Sequence, residues 1–99
     1  MKIERHKLKK VKLKDFAEKH NLTLVISERP KWNWKVGRYT AQFKNVEVKE
    51  GSFLKSLYGD GENEENAVQD YISNISESTL VYDAYGKNRK VFEVPLLVP

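Results

Sequence analysis

Residues 58–82 read YGDGENEENAVQDYISNISESTLVY, a stretch in which a breaker, a helix cap, a periodic apolar face and a strand follow one another without interruption. Gly59-Asp60-Gly61 is a breaker cluster, glycine being the residue that reaches positive φ without steric cost. Asn63 stands where a helix N-cap belongs. Glu64 and Glu65 follow in the first turn, their charge facing the positive end of the helix dipole. Ala67, Val68, Tyr71, Ile72 and Ile75 recur at helical spacing and share one face, which leaves Gln69, Asp70, Ser73 and Asn74 to water. Ser76-Glu77-Ser78 ends the helix, and Thr79-Leu80-Val81-Tyr82 has the β-branched and aromatic character of a strand. A helix with one apolar face needs a sheet to lie on, so the flanking segments must supply one.

Working outward, residues 52–58 form a strand with Phe53 and Leu57 on one face and Leu54 and Tyr58 on the other. Before it, residues 49–51 turn the chain out of a short strand at 46–48, and Asn45 turns it out of the alternating Tyr39, Ala41 and Phe43. Pro30 separates that strand from an earlier one in which Leu22, Leu24 and Ile26 alternate with Thr23, Val25 and Ser27. Residues 31–35 read as a loop or as the start of the following strand. Leu13, Phe16, Ala17 and His20 fit a short amphipathic helix ending near Asn21. After the central helix come a strand over 79–85, a turn at 86–89 and a last strand at 90–94, cut by Pro95 and so placed at a sheet edge. The predicted order is α-β-β-β-α-β-β. This is an α+β fold with an antiparallel sheet of about five strands and two helices, a single domain over 12–99 preceded by a basic, partly ordered arm at 1–11.

The length of 99 residues suits one modest core and not two. With no cysteine there is neither a disulfide nor a thiolate metal site, in keeping with a reducing cytoplasm. No apolar run approaches the roughly 20 residues that span a bilayer, and the N-terminal residues carry no apolar signal-peptide core, so an intracellular protein without membrane contact is expected. The net charge of +4 hides an asymmetry. Residues 1–20 hold eight Lys or Arg against three Asp or Glu, whereas residues 60–77 hold six acids and no base, which makes the molecule dipolar.

Little in the chain points to catalysis. His6 lies in the arm and His20 near a helix end, with no nucleophile placed beside either, so both read as solvated histidines and the chain as no enzyme. Asp60, Glu62, Glu64 and Glu65 run straight into a helix, where side chains diverge, instead of alternating through a calcium loop, so they read as a solvated helix start. The same stretch would repel a phosphate. No cofactor and no metal are expected.

Two features can bind a partner. In residues 29–35, Trp32 and Trp34 stand among Arg29, Lys31 and Lys35, a pattern that serves protein hot spots, base stacking, or simple packing at the end of a sheet. Strand alternation would put both tryptophans on one side. The second feature is the basic arm, with Lys7, Lys9, Lys10 and Lys12 among its cations, either a solvated face or a phosphate-attracting one.

Three resemblances bear on these alternatives. The order of elements from LKDFAEKH through GDGENEENAVQDYISNIS is similar to that of the double-stranded-RNA-binding domain. That module grips phosphates with lysines at the start of its second helix, where this chain has Asn63-Glu64-Glu65-Asn66, so the likeness covers topology and not RNA binding. The GDG turn before a Glu-rich amphipathic helix resembles the HicB-type antitoxin pattern. Gly59-Asp60-Gly61, Ala67-Val68, Tyr71, Ile75-Ser76, Thr79-Leu80-Val81 and Val94-Pro95 resemble small proteins of temperate phages of low-GC Gram-positive bacteria. That resemblance implies a phage or prophage accessory protein in the cytoplasm of an infected or lysogenic host. The expectation is a non-catalytic protein-binding module, or alternatively a nucleic-acid binder using the arm and the tryptophans.

Overall fold

In the computed structural model, which describes residues 1–4 and 9–99, the described elements run β1 (Lys10–Lys12), α1 (Leu13–Lys19), β2 (Leu24–Glu28), β3 (Tyr39–Phe43), β4 (Val46–Glu50), β5 (Phe53–Lys55), β6 (Gly59–Gly61), α2 (Glu64–Ile75), β7 (Thr79–Tyr82), β8 (Lys90–Glu93) and β9 (Leu96–Val98). A 3₁₀ segment, Lys31–Val36, joins β2 to β3. The strands make an antiparallel sheet β2-β3-β6, an antiparallel sheet β5-β4-β7-β8 and a parallel pair β1-β9. The class is α+β, as the periodicities predict.

The strands are shorter and more numerous than the expected five or so. The strand expected over 52–58 is divided, because β5 pairs with β4 while β6 pairs with β3 in the other sheet, and the chain crosses between sheets at 56–58. Pro95, which has no N–H to give a ladder, stops β8. The chain then resumes as β9, which takes Lys10 and Val11, expected in the arm, into parallel register with Leu96 and Leu97.

The Gly-Asp-Gly cluster is a strand rather than a turn, with Tyr39 opposite Gly61 and Ala41 opposite Gly59. Its glycines are needed for room, not for positive φ. A Cβ on Gly59 would sit 2.7 Å from Tyr71 Cβ and closer still to the backbone of Ala67 and Tyr71, and one on Gly61 would strike Asn66 and Ala67. Helix α2 therefore rests almost directly on the main chain of β6.

The helix itself forms where its local signals put it. The Asn63 side chain accepts the Asn66 N–H at 2.8 Å, capping α2. Ala67, Tyr71, Ile72 and Ile75 are fully buried against Ala41 and Phe43 of β3. Leu13 and Phe16 of α1, Val46 and Val48 of β4, Leu80 of β7, and Val94 and Leu97 complete the same core. The rings of Tyr71 and Phe43 meet edge to face at 5.5 Å, and the Phe43 N–H donates to the Tyr71 hydroxyl at 3.1 Å. Burial of that hydroxyl pushes the Tyr71 pKa up to about 12, partly opposed by the Phe43 hydrogen bond.

Two residues expected to be wet have structural work instead. Asp70 accepts the Asp60 N–H at 2.8 Å, and the Asn74 amide donates to the Tyr58 carbonyl at 3.0 Å. Side chains of α2 thus occupy the edge of β6 that β3 leaves open.

Candidate functional site

The tryptophan segment leaves β2 at Arg29 and Pro30. Pro30 is extended and its carbonyl accepts the Asn33 N–H at 2.9 Å, while the Gly37 N–H closes the far end on Trp34 O at 3.0 Å. Gly37 has φ +115°, a conformation open to glycine, and delivers the chain into β3. The segment is 3₁₀, not extended, so residues two apart are turned by about 240° and the tryptophans part company. Trp32 projects into solvent, 82% exposed, and Trp34 folds back half-buried. The expectation that both lie on one side fails for this reason.

What holds the segment is a set of bonds around Trp34. Its indole N–H donates to Arg29 O at 2.8 Å, and the Arg38 guanidinium lies 4.4 Å over its ring. Arg38 also makes a 2.9 Å ion pair with Glu28. Arg29 donates to the carbonyls of Gly37 at 2.9 Å and Val36 at 3.2 Å, and pairs with Asp60 of β6. With only 13% of its side chain exposed, Arg29 is committed to the fold. Lys31, Lys35 and Val36 are exposed beside Trp32. Of the residues singled out in this stretch, Trp32, Lys31 and Lys35 face outward, and Arg29 and Trp34 form their platform.

The basic residues gather elsewhere. Lys9, Lys10 and Lys12 are exposed and, with Lys19, Asp15 and Glu93, line a cleft of about 760 Å³ between β1, α1 and the end of β8. Lys7 and His6 lie outside the described residues. His20, expected to be solvated, is half-buried, its ring stacked on Phe92 at 4.4 Å and set 4.7 Å from Phe16. Burial first, and then the charges of Lys19 and Lys90, hold its pKa below the ordinary value of 6.5. This cleft lies at the start of β2 and the tryptophan segment at its end, a strand of about 15 Å apart. The fold does not bring the two basic features together.

The acidic stretch offers no converging set. Asp60 is engaged with Arg29 while Glu62, Glu64 and Glu65 are exposed, and among the described residues no group of three or more His, Asp or Glu is placed to hold an ion. Sequence reasoning missed the parts played by Arg38, Glu28 and Asp60. The available signal was the charged residues bracketing the tryptophans, Glu28-Arg29 before and Arg38 after, which a hairpin brings face to face.

No helix among the described residues is long and apolar enough to cross a membrane. Compared with known proteins, the chain matches no family model, no curated protein and no solved structure, so its candidate site is defined by its own geometry.

Proposed function

We propose that the chain is a non-catalytic phage or prophage accessory protein, a small protein-binding module working in the cytoplasm of a bacterial host, with Trp32 as its anchor. The observation that carries this reading is the 82% exposure of Trp32 on a segment pinned at both ends. A tryptophan offers roughly 150–250 Å² of surface to bury. Held on a preordered segment, it costs a partner little ordering entropy. Lys31 and Lys35 flank it with charge suited to an acidic rim.

Trp34 is unsuited to testing this, since it holds the platform. The informative variant is Trp32→Ala, compared with wild type by site-specific cross-linking from Lys31 or Lys35 in host cells. Loss of the cross-linked partner with an unchanged thermal midpoint is the expected result. Retention of the same partner would remove Trp32 from the interface.

A second reading, nucleic-acid binding, is favoured by the cleft of Lys9, Lys10, Lys12 and Lys19. Asp15 and Glu93 in the same cleft weigh against it. It requires binding of a defined oligonucleotide that weakens steeply with salt and is lost on charge reversal of Lys10 and Lys12.

A further inference from the structure

We propose that the free edge of β2 is a strand-addition site, which takes an extended basic peptide with alternate aliphatic residues, independently of Trp32. In the sheet β2-β3-β6, strand β3 is central and β6 has its outer edge filled by Asp70 and Asn74. Strand β2 has no such cover. Lys44 N–H bonds to Thr23 O at 2.8 Å and Arg29 N–H to Arg38 O at 2.7 Å, so Thr23, Val25, Ser27 and Arg29 face β3. The N–H and C=O groups of Leu24, Ile26 and Glu28 therefore point away from it, along an open edge.

Beside that edge the sheet is bare on the helix side. Helix α2 lies over β3 and β6, and β2 is left at the rim. Ile26, 38% exposed, borders a cleft of about 580 Å³ with Val68, Glu64 and Glu65. Leu24 borders a second cleft, of about 390 Å³, with Leu13, Ala17, Leu22 and Val68. The two clefts meet at Val68 and run parallel to the strand. A strand pairing antiparallel with β2 would offer its N–H and C=O groups to Leu24, Ile26 and Glu28. Its alternate side chains would enter these clefts. Exposed apolar residues along an unpaired edge are what folded proteins ordinarily suppress, which makes their presence here informative.

Charge selects the occupant. Glu64 and Glu65 stand at the mouth of the first cleft and Glu18 at the second, against Lys14 alone. The groove therefore favours Lys or Arg at the outward positions of the added strand.

The test uses the whole protein and the capped peptide Ac-KVKVKVK-NH2, followed by amide exchange and chemical shifts. The expected result is binding, with new protection of the Leu24, Ile26 and Glu28 amides. In antiparallel pairing the valines that enter the clefts are also the residues whose amides face β2. N-methylation of the Val amides should thus weaken binding by at least about tenfold, and N-methylation of the Lys amides should leave it within a few-fold. The Glu-for-Lys peptide should bind at least about tenfold more weakly. No binding at millimolar peptide, equal effects of the two methylation sets, or equal binding of the acidic peptide would each overturn the proposal. So would sedimentation of the free protein as a dimer with those three amides already protected, which would make a second copy the occupant. The outcome for Trp32→Ala bears on none of these measurements.

Discussion

Gly59→Ala adds a single methyl group at the closest approach between helix and sheet. The new Cβ would lie 2.7 Å from Tyr71 Cβ and nearer to the backbone of Ala67 and Tyr71 than any real contact allows. No rotamer can relieve this, because the opposing atoms are mainly main chain. Helix α2 must withdraw by about 1 Å, and a gap of that size forfeits a quarter to a half of the dispersion energy across it. The contacts at stake are those of Ala67, Tyr71, Ile72 and Ile75, together with the Asp70 and Asn74 bonds to β6. We expect destabilisation at or above the top of the overpacking range, about 3 kcal/mol. For a domain of this size that lowers the thermal midpoint by roughly 12–24 °C. Gly51→Ala is the control. Gly51 has φ +61° but nothing within 4 Å of an added Cβ, so only the left-handed backbone penalises the change, by about 1 kcal/mol. Calorimetry or urea unfolding of both variants decides the matter. A Gly59→Ala midpoint equal to or above that of Gly51→Ala would refute the claim that β6 is a strand pressed against α2.

Further expectations concern the core, the platform and the stacked histidine. Tyr71→Phe leaves the buried Phe43 N–H without its acceptor and should cost about 1–3 kcal/mol in urea unfolding. Because folding raises the Tyr71 pKa from 10.0 to about 12, its stabilisation is intact below pH 10 and fades as pH rises from 10 towards 12, by about 3 kcal/mol in full; Tyr71→Phe should flatten that decline. Asp60→Asn leaves the largely buried Arg29 guanidinium without its countercharge and should cost about 1–2 kcal/mol, since the Asp60 side chain is itself 38% exposed, with increased solvent access to Trp34 seen by fluorescence quenching. The His20 pKa is lowered in the folded state, so the unfolded chain binds the proton more readily. Stability should fall as pH drops through 6.5, and His20→Phe should lessen that loss between pH 7.5 and 5.5 in denaturant titrations.

The central helix was legible because its signals are local. Asn63, the two glutamates behind it and five apolar residues at helical spacing all lie within thirteen positions, and each agrees with the others. The glycines of β6 were visible as glycines but not as a contact surface, since only the approach of α2 shows why Gly59 and Gly61 lack side chains. Strands β1 and β9 have three residues each and no alternation of useful length, so their pairing could not be read from either one. In the tryptophan segment, the identity of the residues marked a binding candidate. Its geometry turned on a 3₁₀ winding that Pro30 and Gly37 permit but do not announce. The open edge of β2 was hidden for a different reason. The alternation of Leu22, Leu24 and Ile26 shows a strand, whereas which strand lies outermost is a property of the whole topology.

The parallel pairing of β1 with β9 also bears on how the molecule assembles. Joining Lys10 to Leu96 closes a loop that contains nearly all the other elements, at an entropic cost of about 4 kcal/mol for a loop of that length. Local pairings such as β4 with β5 can form early, but this one must wait until the intervening chain has collapsed. On a ribosome the partner of β1 is among the last residues to emerge, so throughout synthesis Lys10 and Lys12 sit on a strand with no mate. Completion of the lysine-lined cleft is thereby tied to completion of the fold.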